Sequence, residues 1–363
     1  MLRVILAPVT LVALVMMTAL AQEPHPTARP AAPAAPLFAS HDLLTFTIEA
    51  PLSTIFKDRG TERTERPAKL IIPGSDGQPV RLDVAIRTRG KTRAERRICE
   101  FPPLRLDFDI AGHGSVFERQ NDLKLVTHCQ DGRSEYDQYV LQEYLVYRMY
   151  NLLTDLSFNA RLARVTYVDT EGKRDPVTRY AFLLEDVDAV AARNGWKALR
   201  IPAVPPQIVD PQILALVGVF QYLIGNPDWS LFTVEPGEDA CCHNTVPVGA
   251  ESGPIFSVPY DFDISGIVNT RYADRLFGPE TRNLGIRRVR ERAYRGLCAS
   301  AGHLPGVFGL FNQKRDAIYA LYREQPGVNA EVAKETVEYL DAFYETINDP
   351  RKVEREFANR CIG

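Results

Sequence analysis

The chain has almost no net charge. Its 43 Lys and Arg against 46 Asp and Glu leave −3 over 363 residues. The global basicity that draws a protein to nucleic acid or to an anionic membrane is therefore absent. There is no Cys-x-x-Cys pair, so neither a zinc ribbon nor a thioredoxin-like redox site is supported. Gly-x-Ser-x-Gly, His-Glu-x-x-His and paired histidine ligands are all missing, which removes the usual signatures of serine hydrolases and zinc peptidases. Ala111–Ser115 is a flexible turn, too short and unpatterned for a nucleotide-binding glycine loop. After residue 21 no apolar run is long enough to span a membrane. No internal repeat is visible.

What is present starts at the N-terminus. Arg3 precedes a mostly apolar run, Val4 to Leu20, and Ala19-Leu20-Ala21 fits a small-x-small cleavage site. Residues 1–21 therefore read as a signal peptide cleaved before Gln22, and the expectation is an exported protein, periplasmic or secreted. Residues 22–40, rich in Pro and Ala up to Pro36, read as an extended linker. The folded part is expected to begin near Phe38 to Leu43. Six cysteines permit up to three disulfides in an exported chain. Cys241-Cys242-His243 matches tetrahedral zinc poorly, and the expectation is that Cys241 or Cys242 pairs with a distant cysteine.

Strand composition marks Leu43–Ala50, Lys69–Ile72, Val80–Arg89, the run from Leu104, Asp122–Thr127, Arg161–Val168 and Tyr180–Leu184. Tyr136 to Leu153 has helical spacing of its apolar residues, with Glu143 on or near that face. Pro211–Ile224 is an apolar helix with Asp210 as N-cap and Pro211 at its first position. Arg315–Tyr322 and Ala330–Ile347 are further helices. The plan is a β-rich first half, 41–200, with one long helix, then a mainly helical second half, 201–363, joined through a hinge near Pro202–Pro206.

Two loops carry acids beside apolar runs: Asn226-Pro227-Asp228, and Asp261-Phe262-Asp263, with His243-Asn244 between them. A buried carboxylate needs a partner. Oxygen ligands suit magnesium or manganese. Each acid taken alone is better explained as a cap or turn residue bonded to backbone N–H groups. Upstream, Lys124 sits on a strand among apolar neighbours and Glu143 on the next helix, so the two can pair across the packing. The arginines around Gly90, Arg87, Arg89, Arg93, Arg96 and Arg97 with Lys91, suit either phosphate or a solvated loop.

In this order the pieces Leu123-Lys124-Leu125, Glu143, Tyr180–Asp186, Ile224–Trp229, His243-Asn244 and Pro259–Asp263 resemble the CotH-type (spore-coat CotH) atypical kinase family. Gly-Asn-x-Asp also looks like the catalytic loop of HipA-type kinases. Arg89-Gly90-Lys91-Thr92-Arg93 is similar to that family's Arg-Gly-Asn-Ser segment, with Lys91 where the family shows Asn. The resemblance implies an α+β, two-lobed protein-kinase-like fold and phosphoryl transfer from ATP or another nucleotide, with Mg²⁺ or Mn²⁺. The acceptor would be a protein or a small hydroxyl-bearing molecule. It makes Asp228 the base; Lys124, Glu143 and Glu185 the nucleotide-binding residues; and Asp261, Asp263 and Asn244 the metal ligands. The long insertion from Leu231 to Gly253 leaves Asn226 competing with Asn244. The alternative is a non-catalytic, pseudokinase-like envelope binding protein; a metal-dependent phosphoester hydrolase leaves Lys124 and Glu143 unexplained.

Overall fold

A computed structural model describes residues 35–74, 77–108, 112, 114–232, 234, 240–250 and 253–363. The expected signal peptide and most of the expected linker lie outside these residues. Packed structure begins a little earlier than the sequence suggests. Leu37 and Phe38, in a short 3₁₀ turn at Pro36–Phe38, are already buried against the body.

Alternation of apolar and polar side chains builds the first half. The chain runs β1 (Leu44–Ala50), α1 (Leu52–Ile55), β2 (Arg66–Pro73), β3 (Pro79–Thr88), β4 (Leu104–Asp107), β5 (Asp122–Val126), α2 (Glu135–Asn151), β6 (Ala160–Asp169) and β7 (Val177–Leu184). The seven strands close into a barrel in the order β1-β2-β3-β4-β5-β7-β6. Every pairing is antiparallel except β1 with β6, which is parallel along the whole of β1, from Leu44–Ala163 to Ala50–Asp169. Phe46, Ile48, Leu70, Ile86, Leu106, Leu123, Leu125 and Val165 fill its interior.

The second half follows as α3 (Val187–Arg193), β8 (Lys197–Ala198), α4 (Pro211–Ile224), β9 (Thr245–Gly249), β10 (Ile255–Pro259), α5 (Ala273–Leu276), α6 (Pro279–Asn283), α7 (Leu304–Glu324), α8 (Ala330–Ile347) and α9 (Pro350–Val353). Strands β10-β9-β8 form a small antiparallel sheet. Helix α4 matches its sequence signals: the Asp210 carboxylate accepts from Ile213 N, and Gly225 ends the helix at φ +64°. α2 covers the outside of the barrel and packs into the second core, where the Tyr150 and Phe220 rings lie 4.5 Å apart.

The expected two-lobed kinase-like architecture is not what forms. The strands do not make a separate β-rich lobe; they close into a seven-stranded mixed barrel, with α2 packed on its outside and most of the other helices in the C-terminal region. The physical cause is the β1–β6 pairing. It joins two strands far apart in sequence, and no local pattern encodes it. The cysteines also pair differently from expectation. Cys99 bonds Cys129 and Cys298 bonds Cys361, which leaves Cys241 and Cys242 bonded to each other rather than to a distant partner. No described helix is long and apolar enough to cross a membrane. That and the disulfides are compatible with an exported protein.

Candidate functional site

Strand alternation decides where the barrel's charges go. Leu123 and Leu125 point into the barrel, so Lys124 between them points outward. Lys124 stands opposite Arg105, which stands opposite Arg87, and Arg89 lies two residues further along from Arg87 on that face. Facing this outer wall are the loops after α4, before β9 and after β10. Between them lies a cleft of about 360 Å³, lined among others by Arg89, Arg93, Lys124, Glu143, Asp228, Asn244, Asp261 and Asp263.

The acids differ in how they are held. Asp228 is partly hydrated, with 35% of its side chain exposed. One carboxylate oxygen lies 2.7 Å from His243 Nε2; the other accepts from Asn244 Nδ2 at 2.9 Å. The same Nδ2 donates to the Asp228 carbonyl at 2.7 Å, so its donor side is committed to Asp228 and its Oδ1 is the amide's acceptor. Asp261 sits at φ +60°, rarely adopted by a non-glycine residue. Its N–H donates to the Tyr147 hydroxyl at 2.8 Å, and Phe262 beside it packs on the Tyr147 ring at 4.8 Å. The Asp261 carboxylate itself has no hydrogen bond or ion pair among the described residues. Asp263 is buried and accepts from the Tyr272 hydroxyl at 2.7 Å.

The expected Lys124–Glu143 pair does not form. Glu143 is 3% exposed and takes its partner from the loop after β3: Arg93 Nη1 lies 3.3 Å from Glu143 Oε2. Arg93 also donates to the Thr127 carbonyl at 2.7 Å and reaches within 4.0 Å of Asp263. Lys124 instead lies over the Tyr260 ring, 5.0 Å from its centre. Glu185 is not in the cleft at all. Its carboxylate accepts from Asn159 N at 2.9 Å and pairs with Arg193 at 3.2 Å, on the α3 side of the barrel. Its carboxylate is committed to these partners, away from the cleft residues where it was expected to meet a nucleotide.

Burial and like charge tune the group. Burial, reinforced by Asp261, pushes the Asp263 carboxyl up to about 7. Burial pushes Glu143 up to about 8 against the opposing pull of Arg93. Burial acts to lower the Arg93 guanidinium, but Tyr272, Glu143, Asp263 and Asp261 together raise it. Burial first, and Arg89 second, bring Lys124 down to about 8. No family model matches the chain, and no curated protein matches it.

The site therefore faces a cationic barrel wall with an acidic loop wall. Lys124, Asp228, Asn244, Asp261, Asp263 and Glu143 come together as their sequence order suggests, and Glu185 does not. Tyr147 and Tyr272 are site residues that the sequence did not single out, and Arg93, expected to face phosphate or solvent, instead pairs with Glu143. Tyr147 was findable: it lies one helical turn after Glu143, on the same face of α2. Among the described residues no three or more His, Cys, Asp or Glu side chains form a metal-binding group on their own. A magnesium or manganese ion held by one or two carboxylates, and otherwise by substrate phosphates and water, needs no such group. The unpartnered Asp261 carboxylate beside the repelled Asp263, with Asn244 lining the same cleft, fits that kind of ion.

Proposed function

We propose that the chain is a metal-dependent phosphotransferase that moves a phosphoryl group from a nucleotide such as ATP to a hydroxyl on a protein or small-molecule acceptor. One observation carries the reading. Lys124, Asp228, Asn244 and Asp261 arise on four separate segments and meet in a single cleft, with cations on one wall and carboxylates on the other. In this reading Lys124 holds phosphate oxygens. Asp228 takes the proton of the acceptor hydroxyl: both its oxygens are oriented by His243 and Asn244, and each keeps a second lone pair. Asp261, Asn244 Oδ1 and Asp263 would hold the metal, which when bound neutralises charge on the transferring phosphate. Tyr147 fixes the backbone of Asp261, and Arg93 ties α2 to the loop after β10. The compartment in which it acts is periplasmic or extracellular, consistent with the expected signal peptide and the disulfides.

The test is phosphate transfer from labelled ATP with Mg²⁺ or Mn²⁺ to a panel of hydroxyl acceptors, the chain itself included. Asp228→Asn and Asp261→Asn should each lower the rate by about 100-fold or more. No transfer, together with no metal-dependent thermal shift by nucleotide, sinks the proposal. A second reading, a non-catalytic envelope binding protein, is favoured by the internal pairing of Glu143 with Arg93 and of Asp263 with Tyr272. It expects stabilisation by metal alone, with nucleotide adding nothing.

A further inference from the structure

A nucleotide offers two handles, a base and a phosphate chain, and the cleft serves them unequally. The phosphate handle is well provided. Neither the Arg89 nor the Lys124 side chain has a hydrogen bond or ion pair among the described residues, and Lys124 lies over the Tyr260 ring. Both project from the barrel's outer wall into the cleft, opposite the carboxylates of Asp228 and Asp261. Two partly buried cations without a carboxylate of their own make a ready anion site.

The base handle is poorly provided. A base edge is read by polar groups that are free to pair with it. The end of β7 lines the cleft, and barrel closure has used it: Leu184 stands between Lys124 of β5 and Ala160 of β6. The next N–H, that of Glu185, donates to the Asn159 carbonyl at 2.9 Å. The Glu185 carboxylate is taken by Arg193 and Asn159 N, and that of Asp186 accepts from Asp188 N at 2.8 Å. The apolar residues that line the cleft include Val126, Leu184 and Val246. Such a surface holds any flat ring without telling one from another.

We propose that the cleft selects its phosphoryl donor by the polyphosphate chain, clamped by Arg89 and Lys124, and not by the base. Purine and pyrimidine nucleoside triphosphates and inorganic tripolyphosphate then all serve. This rests on the phosphotransferase reading and narrows its donor. In the transfer the acceptor hydroxyl oxygen forms the new bond to the terminal phosphorus and gives its proton to Asp228. The bond from that phosphorus to the bridging oxygen breaks, and the electron pair leaves with a nucleoside diphosphate or with pyrophosphate.

The experiment measures binding of ATP, GTP, UTP, inorganic tripolyphosphate and adenosine to the purified chain with Mg²⁺, by calorimetry. The three nucleotides should bind within about 3-fold of one another and tripolyphosphate within about 10-fold of them, while adenosine shows no binding at millimolar concentration. Arg89→Met should weaken all four phosphate ligands by a similar factor of about 10. Its melting temperature should stay at the wild-type value, since the side chain it removes has no protein partner. ATP binding more than about 30-fold tighter than GTP and UTP, or measurable adenosine binding, overturns donor selection by phosphate and leaves the phosphotransferase reading standing. A folded protein that binds none of the four overturns both.

Discussion

Replacing Arg93 with methionine keeps the stem and removes the guanidinium that faces Glu143 and Asp263 inside the core. Its cost should depend on pH in a way the geometry dictates. Glu143 lies at about 8 with Arg93 present, because burial raises it and the guanidinium opposes that rise. Without the guanidinium it moves higher still. The folded-state value is then above the unfolded one, about 4.3. The folded chain keeps a proton that the unfolded chain releases, so stability falls as pH rises through that interval. At about pH 6, Glu143 is protonated in both folded proteins, and Arg93→Met loses the hydrogen bonds to Glu143 and to the Thr127 carbonyl, about 2 kcal/mol. At about pH 9 the wild type ionises Glu143 against Arg93 and recovers about one unit of pH, which the variant forgoes. At about 1.4 kcal/mol per unit, Glu143 alone raises the penalty to about 3 kcal/mol, and Asp263, which Arg93 also holds down, adds to it in the same direction. Urea denaturation of both proteins at the two pH values, with equal m values, measures it. A penalty that is flat, or that shrinks as pH rises, would falsify the assignment of Arg93 as the cation that holds Glu143 down.

Tyr147→Phe deletes the oxygen that accepts the Asp261 N–H. It should cost about 1–2 kcal/mol in denaturant and weaken Mn²⁺ binding by about tenfold, read by the electron spin resonance of free Mn²⁺; unchanged Mn²⁺ affinity sinks the positioning role. Since Lys124 titrates near 8, tripolyphosphate affinity should drop as pH rises from about 7 to about 9, and Lys124→Met should flatten that profile. Cys298→Ala with Cys361→Ala opens a bond spanning 63 residues and should cost about 4 kcal/mol. Cys241→Ser with Cys242→Ser releases neighbours in sequence and should cost under about 1 kcal/mol in the same assay.

Local elements were legible because their causes are local. The alternation of Leu82, Val84 and Ile86 against Arg81, Asp83 and Arg87 gives β3, and the inward three are buried as that pattern requires. Asp210, Pro211 and Gly225 mark both ends of α4. Pairing was not legible. Nothing in Leu44–Ala50 names Ala163–Asp169 as its parallel partner, and that one choice separates a closed barrel from an open lobe. The short sheet β8–β10 was missed for a related reason: two-residue β8 has no periodicity to read. In the site, residue types at loop and strand ends were legible. Which cation met which carboxylate was not, because Arg93 lies on a loop whose entry into the core depends on the Cys99–Cys129 bond and the packing of Ile98 beside it.

Barrel closure and the site are linked by the same geometry. A closed sheet leaves no strand edge for a ligand to pair with, so a site on this scaffold must be made from side chains on the outer wall and from loops brought against it. Alternation supplies the wall, since the inward leucines at 123 and 125 force Lys124 out. Helix α2 supplies the joint: it lies on the barrel with Phe182 against Tyr144 and Tyr147, and it reaches the second core with Tyr147 against Phe262. Tyr147 therefore touches the barrel through its ring and Asp261 through its hydroxyl. The distance between the cationic wall and the acidic loop is fixed by packing of one helix, and Glu185, which closure turned toward Arg193, is free to serve as a structural ion pair.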